Sequence, residues 1–141
     1  VHTYTLTNAA GASKSAKLRF VPLAGEVGLS DEELKVKADS FYRDELKTRL
    51  DQGPVRFDLV AVLGEAGDPA SDATVAWQEE GRQTVRLGTL AIAAQAASDE
   101  CDRATFDPVV ELPEGIAGPT DDPIFAIRSP AYAVSLSRRG Q

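Results

Sequence analysis

The chain opens with alternating side chains: His2, Tyr4 and Leu6 share one face of a predicted strand, and Thr3, Thr5 and Thr7 share the other. The turn-rich segment Asn8-Ala-Ala-Gly-Ala-Ser13 follows. Ala16, Leu18 and Phe20 then alternate with Lys17 and Arg19, which predicts a β-hairpin. Between Pro22 and Gly53 the period changes from strand to helix. Ser30-Asp-Glu-Glu33 has the form of a capping box and starts a short helix. In Ser40–Leu50 the apolar positions Phe41 or Tyr42, Leu46 and Leu50 recur at helical spacing until Gly53-Pro54 ends the helix. Val55–Leu63 is the strongest strand, with Phe57, Leu59, Ala61 and Leu63 on one side and Val60 and Val62 on the other, and it reads as central and covered on both faces. A polar stretch from Gly64 to Asp72 leads to Ala73-Thr-Val-Ala-Trp77, and Thr84–Ile92 makes another strand. Four clear strands thus surround one helical insertion. Closing a filled barrel takes about eight, so further strands are expected from outside this stretch.

From residue 98 the pattern turns irregular. Phe106-Asp-Pro and Pro113-Glu-Gly-Ile-Ala-Gly-Pro-Thr120 carry enough Pro and Gly to force an ordered, non-repetitive loop, a common way to wrap a cofactor. Asp122-Pro123 then predicts a helix start, with Asp as cap and Pro at the first helical position. On that helix Arg128, Tyr132, Ser135 and Arg139 fall on one face, with Ile124, Ile127 and Ala131 expected to pack nearby. Pro130 removes an amide and crowds the carbonyl four residues earlier, which predicts a kink or an irregular turn around Ser129.

Composition narrows the function classes. The 141 residues suit a single domain of ordinary size. Fifteen Lys and Arg against 22 Asp and Glu leave a net charge of −7, which argues against a surface that tracks nucleic acid or anionic lipid. No run nears the roughly 18 apolar residues of a membrane span, and no basic segment followed by an apolar stretch marks a leader. The chain therefore reads as soluble. Cys101 is the single cysteine and His2 the single histidine, so neither an internal disulfide framework nor a common zinc site is expected. Cys101 reads as an ordinary buried or half-buried thiol. The chain begins at Val1 and enters a strand at once, which suggests a cut chain.

Arg128 and Tyr132 are the residues with the sharpest chemistry. Four residues apart on a helix, they set a guanidinium beside a phenol, and a fixed positive charge favours the phenolate. A phenolate is a strong axial ligand for haem iron. A stacked surface pair is the competing reading.

An ordered series of motifs decides between them: His2-Thr-Tyr with Leu6-Thr-Asn-Ala-x-Gly11, Leu29-Ser-Asp-Glu-Glu33, Phe57-Asp-Leu-Val60, Ala73-Thr-Val-Ala-Trp77, Leu87-Gly-Thr-Leu90, Phe106-Asp-Pro108, Gly115-Ile116 and Asp121-Asp-Pro-x4-Arg128-x3-Tyr132. In this order and spacing the chain resembles the C-terminal half of a haem catalase, most like a small bacterial catalase-related haem peroxidase, over its whole length. The resemblance implies an α+β fold: the C-terminal half of a catalase-type antiparallel β-barrel with a helical insertion and a C-terminal proximal haem helix. Residues 1–141 would then be the C-terminal portion of one catalase-like haem domain. It also implies haem b as cofactor, Tyr132 as its axial ligand and Arg128 as the residue that keeps the phenol ionised. His2 and Asp122 would complete a chain Tyr132, Arg128, His2, Asp122. An imidazole fixed by a carboxylate can accept a donor that the guanidinium does not spend on the phenolate. Arg139 would bind a haem propionate and Phe106 would border the haem. Trp77 matches a segment that binds a dinucleotide in some large catalases, but it reads here as a packed aromatic, and NADPH is not expected.

The departures from the family limit the chain's own chemistry. Catalases attack peroxide with a distal histidine and asparagine that lie in the N-terminal half, and the sole histidine here already belongs to the proximal side. Without a distal acid/base this chain alone is expected to be inactive. Its expected partners are the N-terminal half of the same protein or a companion chain, a peroxide substrate and, when intact, further copies in a homo-oligomer. Pro130 differs from the family's usual residue, and the loop from Gly115 to Asp122 looks one residue longer than in related chains. The implied activity is decomposition or use of hydrogen peroxide or organic peroxides. A haem isomerase of lipid hydroperoxides and a haem-free, non-catalytic remnant are the alternatives.

Overall fold

The computed structural model describes residues 2–97, 101, 104–110, 112–118 and 121–139. The elements run β1 (Thr3–Thr7), β2 (Ser13–Pro22), α1 (Asp31–Lys35), α2 (Phe41–Leu50), β3 (Val55–Leu63), β4 (Thr84–Ile92), β5 (Ile116–Ala117) and α3 (Pro123–Arg139). The five strands form one sheet in the order β4-β3-β2-β1-β5, with every neighbouring pair antiparallel. The architecture is α+β, as the resemblance implies.

Each strand has a local cause. The β1–β2 turn is wound on Asn8, whose side-chain oxygen accepts the amides of Ala10 and Ala12, both at 3.0 Å. Gly11 completes that turn at φ 79°, where a β-carbon would be strained. Strand β3 lies between β2 and β4, which confirms its central place, but its burial is complete only at Ala61 and Val62. A bulge between Leu59 and Val60 shifts its register against β4. Strand β5 leaves no periodic trace in the sequence because it has only two residues. It is set by Gly115, whose carbonyl accepts the Thr7 amide at 2.8 Å. A β-carbon at Gly115 would lie 2.8 Å from the Thr7 carbonyl oxygen.

Residues facing each other across a ladder share a face of the sheet. Tyr4 pairs with Ala16, and Ala16 with Leu63, so one face carries Tyr4, Leu6, Ala16, Leu18, Phe20, Leu59, Ala61 and Leu63. Helix α3 meets this apolar face through Phe125, whose ring centroid lies 5.6 Å from that of Tyr4. The other face carries Lys17 and Arg19 opposite Val62 and Val60. Trp77 covers it, only 6% exposed, with Lys17 Nζ 4.6 Å from its ring centroid, the Arg82 guanidinium at 5.1 Å, and its indole N–H donating to the Pro69 carbonyl at 3.0 Å. Arg82 is in turn held by both oxygens of Asp68, one of them at 2.8 Å. Trp77 is therefore a packed aromatic.

The helical insertion has the predicted start. Ser30 Oγ accepts the Glu33 amide at 3.4 Å, and the Glu33 carboxylate accepts the Ser30 amide at 2.8 Å. Neither α1 nor α2 buries a residue fully, and Phe41, Leu46 and Leu50 are half-buried. Ala73–Trp77 lies outside the sheet, and helix α3 continues through Pro130 to Arg139. Two expectations are corrected. Cys101 is exposed rather than buried. Ile124, Ile127 and Ala131 are exposed; the fully buried side chain of α3 is Phe125. Periodicity alone could not separate these faces, because α3 is apolar on more than one side. The expected longer loop between Gly115 and Asp122 lies partly outside the described residues. Among the described residues no helix is long and apolar enough to cross a membrane.

Candidate functional site

Helix α3 begins at a buried carboxylate. Asp122, 2% exposed, accepts the Ile124 amide at 2.9 Å and the Phe125 amide at 3.4 Å through Oδ1, which is the work of an N-cap. Its other oxygen meets His2 Nδ1 at 3.0 Å. Burial pushes the Asp122 carboxyl up, but the hydrogen bonds from His2 and from the two amides outweigh it and hold the group below the ordinary carboxylate value. Phe125 stands edge-on to His2, with ring centroids 4.4 Å apart. One carboxylate thereby joins the start of β1 to the start of α3.

Two turns further on, the Arg128 guanidinium donates to the Tyr132 phenol oxygen at 2.5 Å, with its carbon 5.3 Å from the ring centroid. Both side chains are half-buried. The sequence-predicted residues thus form two pairs, His2 with Asp122 and Arg128 with Tyr132. Among the described residues no hydrogen bond joins His2 to Arg128; Phe125, two positions before Ile127 on α3, packs against the imidazole. Arg139 ends α3, exposed, and donates to the Ser135 carbonyl at 3.4 Å and the Ala104 carbonyl at 3.3 Å. Phe106 is 76% exposed.

Three further residues complete the surroundings of Arg128. The Tyr4 hydroxyl donates to the Pro108 carbonyl at 3.4 Å. Burial raises the Tyr4 phenol above its ordinary value, against the opposing charge of Arg128, so Tyr4 stays a neutral donor. Asp107 accepts the Val109 amide at 3.0 Å, and the nearby Ser129 hydroxyl, the loop amides and the charge of Arg128 hold its carboxyl below the ordinary carboxylate value. Sequence reasoning took Phe106 from the Phe106-Asp-Pro108 motif and passed over Asp107. The signal for Asp107 was an acid preceding Pro in a loop, which by itself also fits a simple turn. Tyr4 carried a clearer signal, since it lies two residues from His2 on the same strand face. Among the described residues no group of three or more His, Cys, Asp and Glu could hold a metal ion.

Chemically, the arrangement offers a hard phenol oxygen with a cation already donating to it, on a helix whose first turn is anchored to the sheet. No protein-family model matches the chain. It is 35% identical over 141 residues to a catalase-related peroxidase of Synechococcus elongatus and 33% identical over 141 residues to a catalase-related peroxidase of Mycolicibacterium paratuberculosis. Each alignment covers 99% of this chain, which spans 41% of the first relative's length and 44% of the second's. Among solved structures, a fungal catalase and a bacterial catalase each match with a TM-score of 0.79, at 17% and 21% identity, over 98% of this chain and 30% and 29% of theirs. Catalase A from Saccharomyces cerevisiae matches with a TM-score of 0.78 at 17% identity, over 98% of this chain and 30% of its own. These likenesses establish the fold of the stretch.

Proposed function

We propose that the chain is a stretch of a catalase-family protein and supplies the proximal side of a haem site in a catalase-related peroxidase, where Tyr132 would be the axial iron ligand. The observation that carries this reading is the 2.5 Å hydrogen bond from Arg128 to the Tyr132 oxygen. A phenolate bound to iron on one side and accepting from a guanidinium on the other would have its negative charge matched twice.

The residues suit the group. A phenolate oxygen is an established ligand type for haem iron, and the guanidinium of Arg139 is the planar donor that fits a propionate carboxylate. Its present bonds to two main-chain carbonyls are long, at 3.4 and 3.3 Å, and a charged acceptor would compete well for the same N–H groups. Phe106 offers an exposed ring for an apolar macrocycle edge. A bound haem b supplies the redox capacity by which one peroxide is reduced and a second peroxide or an organic donor is oxidised. The chain's own residues do the rest of the proximal work. Tyr132 would hold the iron, Arg128 would donate to the Tyr132 oxygen, and the His2–Asp122 bond would fix the helix that carries both.

The distal acid/base and the remaining strands would come from the N-terminal half of the same protein or a companion chain. The sheet supports this: five strands are fewer than the about eight of a closed barrel, and Phe20 and Leu90 on its apolar side are half exposed. The intact enzyme is proposed as a homo-oligomeric catalase-like haem domain acting on hydrogen peroxide or organic peroxides. The test is to produce the protein from its complete reading frame with added hemin. A haem absorption band together with peroxide consumption is the expected result, and oxygen evolution against oxidation of an organic donor divides catalase from peroxidase activity. A protein that folds but takes up no hemin overturns the reading.

A further inference from the structure

The loop of residues 104–110 carries Phe106 and forms neither helix nor strand. It is not packed closely on α3, because a cavity of about 300 Å³ is lined by Thr105, Asp107 and Val110 of the loop and by Ser129, Ala133 and Leu136 of the helix. Its place therefore depends on ties to its main chain. Among the described residues, Arg139 donates to the Ala104 carbonyl at 3.3 Å, and the Tyr4 hydroxyl donates to the Pro108 carbonyl at 3.4 Å. Phe106 lies in the chain between these two tied carbonyls.

Tyr4 touches helix and loop at once. Its ring stands edge-on to Phe125, centroids 5.6 Å apart, and Phe125 is 3% exposed in the first turn of α3. Its hydroxyl reaches past that contact to the loop. We propose that Tyr4 is a positioning residue that, through its bond to the Pro108 carbonyl, sets the place of Phe106 relative to α3 and so shapes the aromatic edge of the haem site. This rests on the reading of Tyr132 as iron ligand and of Phe106 as a border of the haem. On that reading Arg139 turns to a propionate and gives up its long bond to Ala104, which leaves the bond from Tyr4 to hold the loop. The phenol suits the task. Pro108 has no amide, so the backbone there offers an acceptor and needs a donor from outside. Burial raises the Tyr4 phenol above its ordinary value, against the opposing charge of Arg128, so it keeps the proton that it donates.

Tyr4→Phe keeps the ring against Phe125 and removes only the hydroxyl, so a Tyr4 that merely filled the core would tolerate it everywhere. The two ideas separate in the protein made from its complete reading frame. In the hemin-free protein, hydrogen exchange of the Val109 amide, which Asp107 accepts at 3.0 Å within the loop, should rise about fivefold in Tyr4→Phe, as for the loss of one neutral hydrogen bond. Exchange of the Phe125 amide, capped by Asp122, should stay as it is. In the hemin-loaded protein, Soret circular dichroism responds to aromatic rings at the haem edge. It should shift in Tyr4→Phe and in Phe106→Leu, and the double variant should match Phe106→Leu alone, because Tyr4 acts through Phe106. An unchanged Val109 amide, equal rises at Val109 and Phe125, or a Soret dichroism that moves in Phe106→Leu but not in Tyr4→Phe overturns the positioning role alone. A Soret dichroism that Phe106→Leu leaves unchanged overturns the reading of Phe106 as the haem's border, and the positioning role falls with it.

Discussion

Replacing Asp122 by alanine tests how much of the proximal helix depends on one side chain. The change removes an N-cap with two amide partners, at 2.9 and 3.4 Å, which costs about 0.5–2 kcal/mol. It also strips His2 of its partner at 3.0 Å, and His2 has a side chain only 10% exposed. Leaving a largely buried polar group unsatisfied costs about 1–3 kcal/mol, so the sum is about 1.5–5 kcal/mol. Asp122→Asn keeps the capping oxygen but turns an NH2 toward His2 Nδ1, which can accept from it in its other tautomer, so it should cost about 1 kcal/mol, the difference between a charged and a neutral partner. Urea unfolding with an unchanged slope measures both. The pH dependence follows from the lowered carboxyl: its contribution is complete above the ordinary value of 3.8 and is lost as pH falls through the lower folded value. Asp122→Asn should therefore lose less stability than the parent below pH 4. Equal costs for alanine and asparagine would refute the reasoning, because they would mean that neither the cap nor the His2 bond matters.

Three other perturbations follow from the packing. Trp77→Ala should lower stability by about 3–5 kcal/mol in thermal or urea unfolding, since it empties a site 6% exposed and leaves Lys17 and Arg82 without their shared ring. Gly118→Ala places a β-carbon 2.6 Å from Phe125, so it should cost about 1–3 kcal/mol and change the near-ultraviolet dichroism of the aromatic cluster around His2. The bonds from Arg82 hold Asp68 down at about 2, so its contribution is present above 3.8 and lost as pH falls from there to about 2. Asp68→Asn should flatten that part of the acid-unfolding curve, and an unchanged curve would exclude the pair from acid stability.

Much of the fold was legible because its devices are local. The capping box at Ser30 and Glu33, the Asn8 turn, the Asp122-Pro123 helix start and the period-two strands all act within a few residues, and each appears where its pattern stands. What the pattern could not carry were contacts made across the chain. Strand β5 exists because Gly115 lets the backbone approach Thr7, a constraint with no repeat to read. Phe125 rather than Ile124 or Ile127 packs on the sheet because Tyr4 and His2 stand opposite it, which helix periodicity does not encode. The i,i+4 spacing of Arg128 and Tyr132, by contrast, was readable at once and is a contact in the structure.

The central claim is that the Tyr132 oxygen binds the iron of a haem. Resonance Raman spectroscopy of the hemin-loaded, full-length protein tests it most directly, because enhanced phenolate modes appear only when a tyrosinate is bonded to the metal. The account predicts these modes in the parent protein and their loss in Tyr132→Phe. The same modes in both proteins, or in neither while haem stays bound, would contradict it.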